Sequence, residues 1–215
     1  PRNIAITPDG SYAYVINIGN NDVWVIDTET NTKVGDDIAV GGQPYGVVIT
    51  PDGKSVYVVN YGDGTVSVIN TVTNTTAGVD IAVGGAPLGI AVTPDGAYAY
   101  VANEGDDTVS VIDTATNTKL GSDIVVGDQP AAVAITPDGA YAYVVNSGDD
   151  TISVISTTTN TKLTDIEVGV GPVGIAITPN GAYAYVANSV DSTVSVIDTA
   201  SNTKVGDEIS VGVGP

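Results

Sequence analysis

The sequence predicts an all-β chain, a β-propeller of five four-stranded antiparallel blades or a slice of a larger propeller or array, and three observations carry that prediction. Thr-Pro-Asp-Gly recurs at Thr7, Thr50, Thr93 and Thr136, and Thr178 opens the variant Thr-Pro-Asn-Gly, so the chain repeats itself every 42 or 43 residues; a period of about 40 to 50 residues belongs to propeller blades. The apolar residues are almost all Val, Ile, Ala and Tyr, with no Phe, no Met and one Trp, a composition suited to pleated, β-branched surfaces. The 26 Gly and 11 Pro place turns at short intervals, as many short strands require.

Each unit opens at a Pro, which divides a single domain spanning 1–215 into blades 1–43, 44–86, 87–129, 130–171 and 172–214, with Pro215 opening a further unit. In the third unit, Ile90 to Thr93 is a short apolar strand, Pro94-Asp95-Gly96 a turn, and Tyr98 to Asn103 a second strand. After the loop Glu104-Gly105-Asp106-Asp107, Thr108 to Asp113 alternates as a third strand. Thr114 to Asn117 then turns the chain, and Lys119 to Val126 forms a fourth strand interrupted by a bulge at Gly121-Ser122. Val, Ile and Ala stand on both sides of these strands, as expected where sheets stack face to face. One such sheet is marginal alone, and stacking on its neighbours stabilises the array. Five units leave three arrangements open: a closed five-blade ring, a slice of a longer array, or partial rings completed by a second chain.

Twenty-five acidic residues against six basic ones give a net charge of −19, which repels phosphate backbones and argues against nucleic acid as a partner. No apolar run approaches the roughly 20 residues of a membrane-spanning helix, so direct membrane insertion is not expected. There is no Cys, hence no disulfide and no thiolate chemistry, and no His, hence no Ser-His-Asp triad, His-ligated zinc or His base.

In every unit a Tyr-Val-x-Asn tetrad (Tyr14 to Asn17, Tyr57 to Asn60, Tyr100 to Asn103, Tyr143 to Asn146, Tyr185 to Asn188) accompanies a Val-Ser-Val-Ile-Asp-Thr-Ala-Thr-Asn element, with substitutions. That combination resembles the YVTN-repeat family of β-propellers, whose members are often surface-layer or secreted proteins. The resemblance covers the whole chain. It implies an extracellular or cell-surface location and a partner that is a protein or glycan, with self-assembly as a further role.

Most carboxylates recur at equivalent positions in several blades, which points to structural duty. The Asp of each Pro-Asp-Gly turn (Asp9, Asp52, Asp95, Asp138) is placed to accept hydrogen bonds from its own turn. The Asp after Val-Ile (Asp27, Asp113, Asp198, replaced by Asn70 and Ser156) is placed to cap the Thr-rich turn. The loops between the second and third strands are more acidic, and Asp106, Asp107, Asp149 and Asp150 form the only candidate metal set. Calcium is the one cofactor they would suit, although no specific calcium-binding loop motif is present.

Positions at which the blades disagree are the remaining candidates. The residue after each opening Pro reads Arg2, Tyr45, Leu88, Ala131, Val173, and the residue after each tetrad Asn reads Ile18, Tyr61, Glu104, Ser147, Ser189. Both sets belong to loops on one face of the disc. Arg2, Tyr45, Leu88, Ile18, Tyr61, Glu104 and the lone Trp24 are therefore the candidate ligand-binding residues, with an aromatic and cationic patch at their centre. Asn74-Thr75-Thr76 is the single glycosylation sequon. These features together predict a non-enzymatic scaffold for adhesion or protein binding. The rivals are a carbohydrate-active enzyme or carbohydrate-binding module using one face, with Glu104 breaking the repeat pattern, and a calcium-dependent assembly module.

Overall fold

The computed structural model describes residues 1–214, and every regular element in them is a β-strand. The strands form five antiparallel sheets in chain order, each built from one repeat. No helix among the described residues is long and apolar enough to cross a membrane. In the third blade the strands are Pro87–Val92, Tyr98–Asn103, Thr108–Asp113 and Thr118–Val125. The central pair runs without interruption from Tyr98 opposite Asp113 to Asn103 opposite Thr108.

Two details differ from the sequence reading. The innermost strand starts at Pro87 instead of Ile90, because Pro87 pairs with Asn103 across a register shift that skips Leu88 and Gly89; a proline without an N–H is tolerated at the first residue of a strand. The outermost strand of the second blade is split into Thr75–Thr76 and Ile81–Ala82, and that of the fifth into Thr203–Lys204 and Ile209–Ser210. In the third blade the corresponding strand is continuous, and its shift opposite Val109 and Val111 marks the expected bulge, with Gly121 at φ 54°.

Both faces of the central strands are buried. Tyr100 and Ala102 pack forward on the fourth blade, while Ala99 and Val101 pack back on the second. Four apolar clusters fill the four junctions between consecutive blades. Each junction also carries a latch. The Tyr14 hydroxyl donates to Asn74 Oδ1 at 2.7 Å, and Tyr57, Tyr100 and Tyr143 donate in the same way to Asn117, Asn160 and Asn202 of the following blade. The accepting Asn residues all sit in the left-handed region, φ 53°, which Asn tolerates better than most residues.

The arc formed by these five blades has two uncovered faces. Tyr185, equivalent to the fully buried Tyr100, is 41% exposed, and no latch partner faces it among the described residues. At the other end, Ile4 and Ile6 of the first innermost strand are more than half exposed. Pro215 lies outside the described residues.

Candidate active site

The loops singled out in the sequence are held on one face by backbone pairing. Glu104 N–H donates to the Ala86 carbonyl at 3.1 Å and Gly105 N–H to the Gly85 carbonyl at 3.0 Å, so the loop leaving the second strand lies against the loop that enters the innermost one. Tyr61 with Gln43, and Ser147 with Gln129, repeat the arrangement. The entry loops must pass very close to the tetrad asparagines, and a Cβ on Gly84 would stand 2.6 Å from the Asn103 side chain. Glycine is required there. Asn103 in turn donates from Nδ2 to the hydroxyls of Thr108 and Ser110, which fixes the base of the hairpin.

The acidic loop residues are engaged in this scaffold. Asp106 accepts the Gly85 N–H at 2.6 Å and Asp149 accepts the Asp128 N–H at 2.8 Å. Asp107 and Asp150 each accept the N–H of the residue just before the next blade's opening Pro, Gln129 and Gly171, both at 2.8 Å. Each carboxylate of the candidate calcium set therefore already holds a backbone donor. Among the described residues no group of three or more Asp, Glu, His or Cys converges in a manner able to hold a metal ion.

The candidate ligand-binding residues separate into groups. The Arg2 guanidinium lies 4.1 Å from the centre of the Tyr45 ring and donates to its hydroxyl, and the Tyr45 and Tyr61 rings are 6.3 Å apart. Trp24 instead faces the Lys33 ammonium, 4.9 Å from its ring centre, and forms no ring pair with the tyrosines. Its equivalents in the other blades are Ser67, Ser110, Ser153 and Ser195, all fully buried against the preceding blade, so Trp24 marks the uncovered face of the first sheet. Ile18 is partly exposed and Leu88 half-buried on its innermost strand. Asn74, the sequon residue, is the partner of Tyr14, a duty that Asn117, Asn160 and Asn202 perform without a sequon.

Tyr61 and Glu104 line one cleft of about 480 Å³ together with Asp107, Asp128, Gln129 and Gly148, drawn from three consecutive blades. The grooves on the opposite face are repeats of one another: Thr7, Pro8, Asp9, Tyr12 and Asp52 line one, and Thr93, Pro94, Asp95, Tyr98 and Asp138 line another. Their carboxylates are held by their own turns. Asp95, for instance, accepts the Thr93 hydroxyl and the Ala97 N–H, and the Thr93 bond holds its carboxyl below the usual carboxylate range. The Glu104 cleft is instead lined at positions where the blades differ, Tyr61 and Glu104. Asp128 and Gln129 were not among the sequence candidates. The signal for them lay in the two residues before each opening Pro, which read Gly42-Gln43, Gly85-Ala86, Asp128-Gln129 and Val170-Gly171.

Comparison with known proteins places this site in context. A family model described as lactonase, 7-bladed β-propeller, matches residues 43–205. No curated protein matches the chain in sequence. Among solved structures, the hydrazine synthase of Kuenenia stuttgartiensis superposes with a TM-score of 0.73 at 21% identity, over 99% of this chain and 87% of that one. A functionally unknown protein from Desulfotomaculum acetoxidans DSM 771 gives 0.78 at 18% identity, over 97% and 75% of the two chains. A provisionally assigned 6-phosphogluconolactonase from Bacteroides uniformis ATCC 8492 gives 0.82 at 17%, over 98% and 71%. At these identities the structures speak for the propeller fold. The family match overturns the expectation of a non-enzymatic scaffold. Missing His removes His-based catalysis alone, and the recurrence argument does not reach Glu104, which occurs once.

Proposed function

Because the chain belongs to the lactonase family of seven-bladed β-propellers, we propose that it is a lactonase-type hydrolase whose reaction takes place in the cleft of Glu104. The observation that carries this reading is that the cleft combines a carboxylate breaking the repeat pattern with two hydrogen-bond donors, Tyr61 of the preceding blade and Gln129 just before the next one.

A lactone is an internal ester, and its hydrolysis needs a base for water and donors for the oxyanion. Glu104 takes a proton from a water molecule as its oxygen adds to the ring carbonyl carbon. The Tyr61 hydroxyl and the Gln129 side-chain amide donate to the carbonyl oxygen as it becomes negative. The acyl–oxygen bond of the ring then breaks, Glu104 returns the proton to the leaving oxygen, and a hydroxy acid results. Arg2 lies over the Tyr45 ring, and the Tyr45 ring packs tilted beside that of Tyr61, so these two residues orient Tyr61 without touching the reacting atoms. The acidic residues repeated across the blades take no part in these proton transfers.

Acid release followed in a pH-stat over a panel of aldonolactones tests this reading. Hydrolysis above the spontaneous rate is expected, with kcat lowered by about 10²-fold or more in Glu104→Gln, the range for loss of a general base. Failure of every lactone to react above the spontaneous rate contradicts it.

A further inference from the structure

Resting on the lactonase reading, we infer that the cleft takes uncharged polyhydroxy lactones and turns away phosphorylated or carboxylated ones. The cations all lie elsewhere. All five lysines are paired with carboxylates away from this cleft. Lys33 with Asp37, Lys119 with Asp123, Lys162 with Asp165 and Lys204 with Glu208 lie along the outer edges of their blades, and Lys54 with Asp52 in a turn on the opposite face. The single arginine, Arg2, is stacked on Tyr45 with its guanidinium bonded to that hydroxyl. The cleft itself presents Glu104, Asp107 and Asp128, within a molecule of net charge −19.

A phosphate-recognising site uses Arg forks, Lys charges or the N-terminal end of a helix. None of these faces the cleft among its lining residues, and like-signed charge repels a phosphorylated ligand at close range. A neutral sugar lactone meets no such repulsion. Its hydroxyls find acceptors in the carboxylates and a donor in the Gln129 amide, and the flat Tyr61 ring supplies an apolar surface for its C–H face. Charge also gives the reaction a direction: the substrate enters neutral and the product leaves as an anion, expelled by the field that surrounds it.

The experiment compares D-glucono-1,5-lactone with its 6-phosphate ester at low and high salt, and measures binding of glucono-lactam and glucono-lactam 6-phosphate by calorimetry. The expected result is a kcat/KM at least about tenfold higher for the neutral lactone, with the gap narrowing at high salt as repulsion is screened, and narrowing also in Asp128→Lys. Equal or faster hydrolysis of the phosphate ester overturns the inference and leaves the lactonase reading standing. If neither lactone reacts above the spontaneous rate, the lactonase reading fails, and the lactams decide the charge preference separately. Tighter binding of the neutral lactam upholds the preference; equal binding, tighter binding of its phosphate, or no binding of either overturns it.

Discussion

Asp52 and Tyr100 show how single residues of the repeat act as scaffold. The Thr50 hydroxyl and the Lys54 N–H hold the Asp52 carboxyl at about 2, below the ordinary 3.8. A carboxyl depressed by folding contributes stability that is present above its unfolded value and lost as pH falls towards the folded one. Thermal melts between pH 4 and pH 2 should therefore show a steeper fall in Tm for the native chain than for Asp52→Asn. The latch tyrosines move the other way. Burial pushes Tyr14, Tyr57, Tyr100 and Tyr143 up to about 12 from the usual 10. Their contribution is complete below pH 10 and disappears as pH rises through 12. Ultraviolet titration should find four of the eleven tyrosines ionising late, together with alkaline unfolding. The turn role of Asp52 was legible in the sequence because Asp before Gly in a Pro-led turn has few other uses. The Tyr–Asn latch was not, since its partners are about 60 positions apart and belong to different repeats.

At the scale of the blade, the junction between sheets is the unit of stability, and the same residue has different worth according to whether a blade follows it. Tyr100→Phe removes a buried hydroxyl and leaves Asn160 unpaired across the junction; a loss of about 1 kcal/mol is expected in denaturant unfolding. Tyr185→Phe removes a hydroxyl that is exposed and unlatched, and its effect should be much smaller. Gly84→Ala forces a methyl against Asn103 at 2.6 Å, and overpacking of this kind costs about 1 to 3 kcal/mol. The strands and hairpins were readable from alternation and turn residues. The division of the second and fifth outer strands was not, because their bulge glycines, Gly78 and Gly206, stand at the same repeat position as Gly35 and Gly121 of the undivided strands. Trp24 was misread as part of the aromatic patch. Its own repeat position held the warning, since all four of its equivalents are small serines that belong to a junction.

For the molecule as a whole, a repeated architecture divides its residues by recurrence. Carboxylates that return in several blades, such as Asp9, Asp95 and Asp138, serve turns; the loop acids Asp106, Asp107, Asp149 and Asp150 hold backbone donors between and within blades. The cleft of Glu104 draws on three blades and uses the positions at which they differ. Half of that site was legible in the sequence as variable loop residues, Tyr61 and Glu104. Gln129 and Asp128 became visible only when the fold brought the entry loop of the fourth blade beside the loop of the third. The expectation that the chain performs no chemistry failed because recurrence disposes of repeated acids and says nothing of a residue that appears once.

The proposed division, in which repeated acids build the propeller and the unrepeated Glu104 acts on substrate, is tested by paired measurement of Tm and lactone hydrolysis in Glu104→Gln and Asp95→Asn. Glu104→Gln is expected to abolish most of the hydrolysis with an unchanged Tm, while Asp95→Asn is expected to lower the Tm and keep kcat. An active Glu104→Gln enzyme, or an inactive Asp95→Asn enzyme of native Tm, would contradict it.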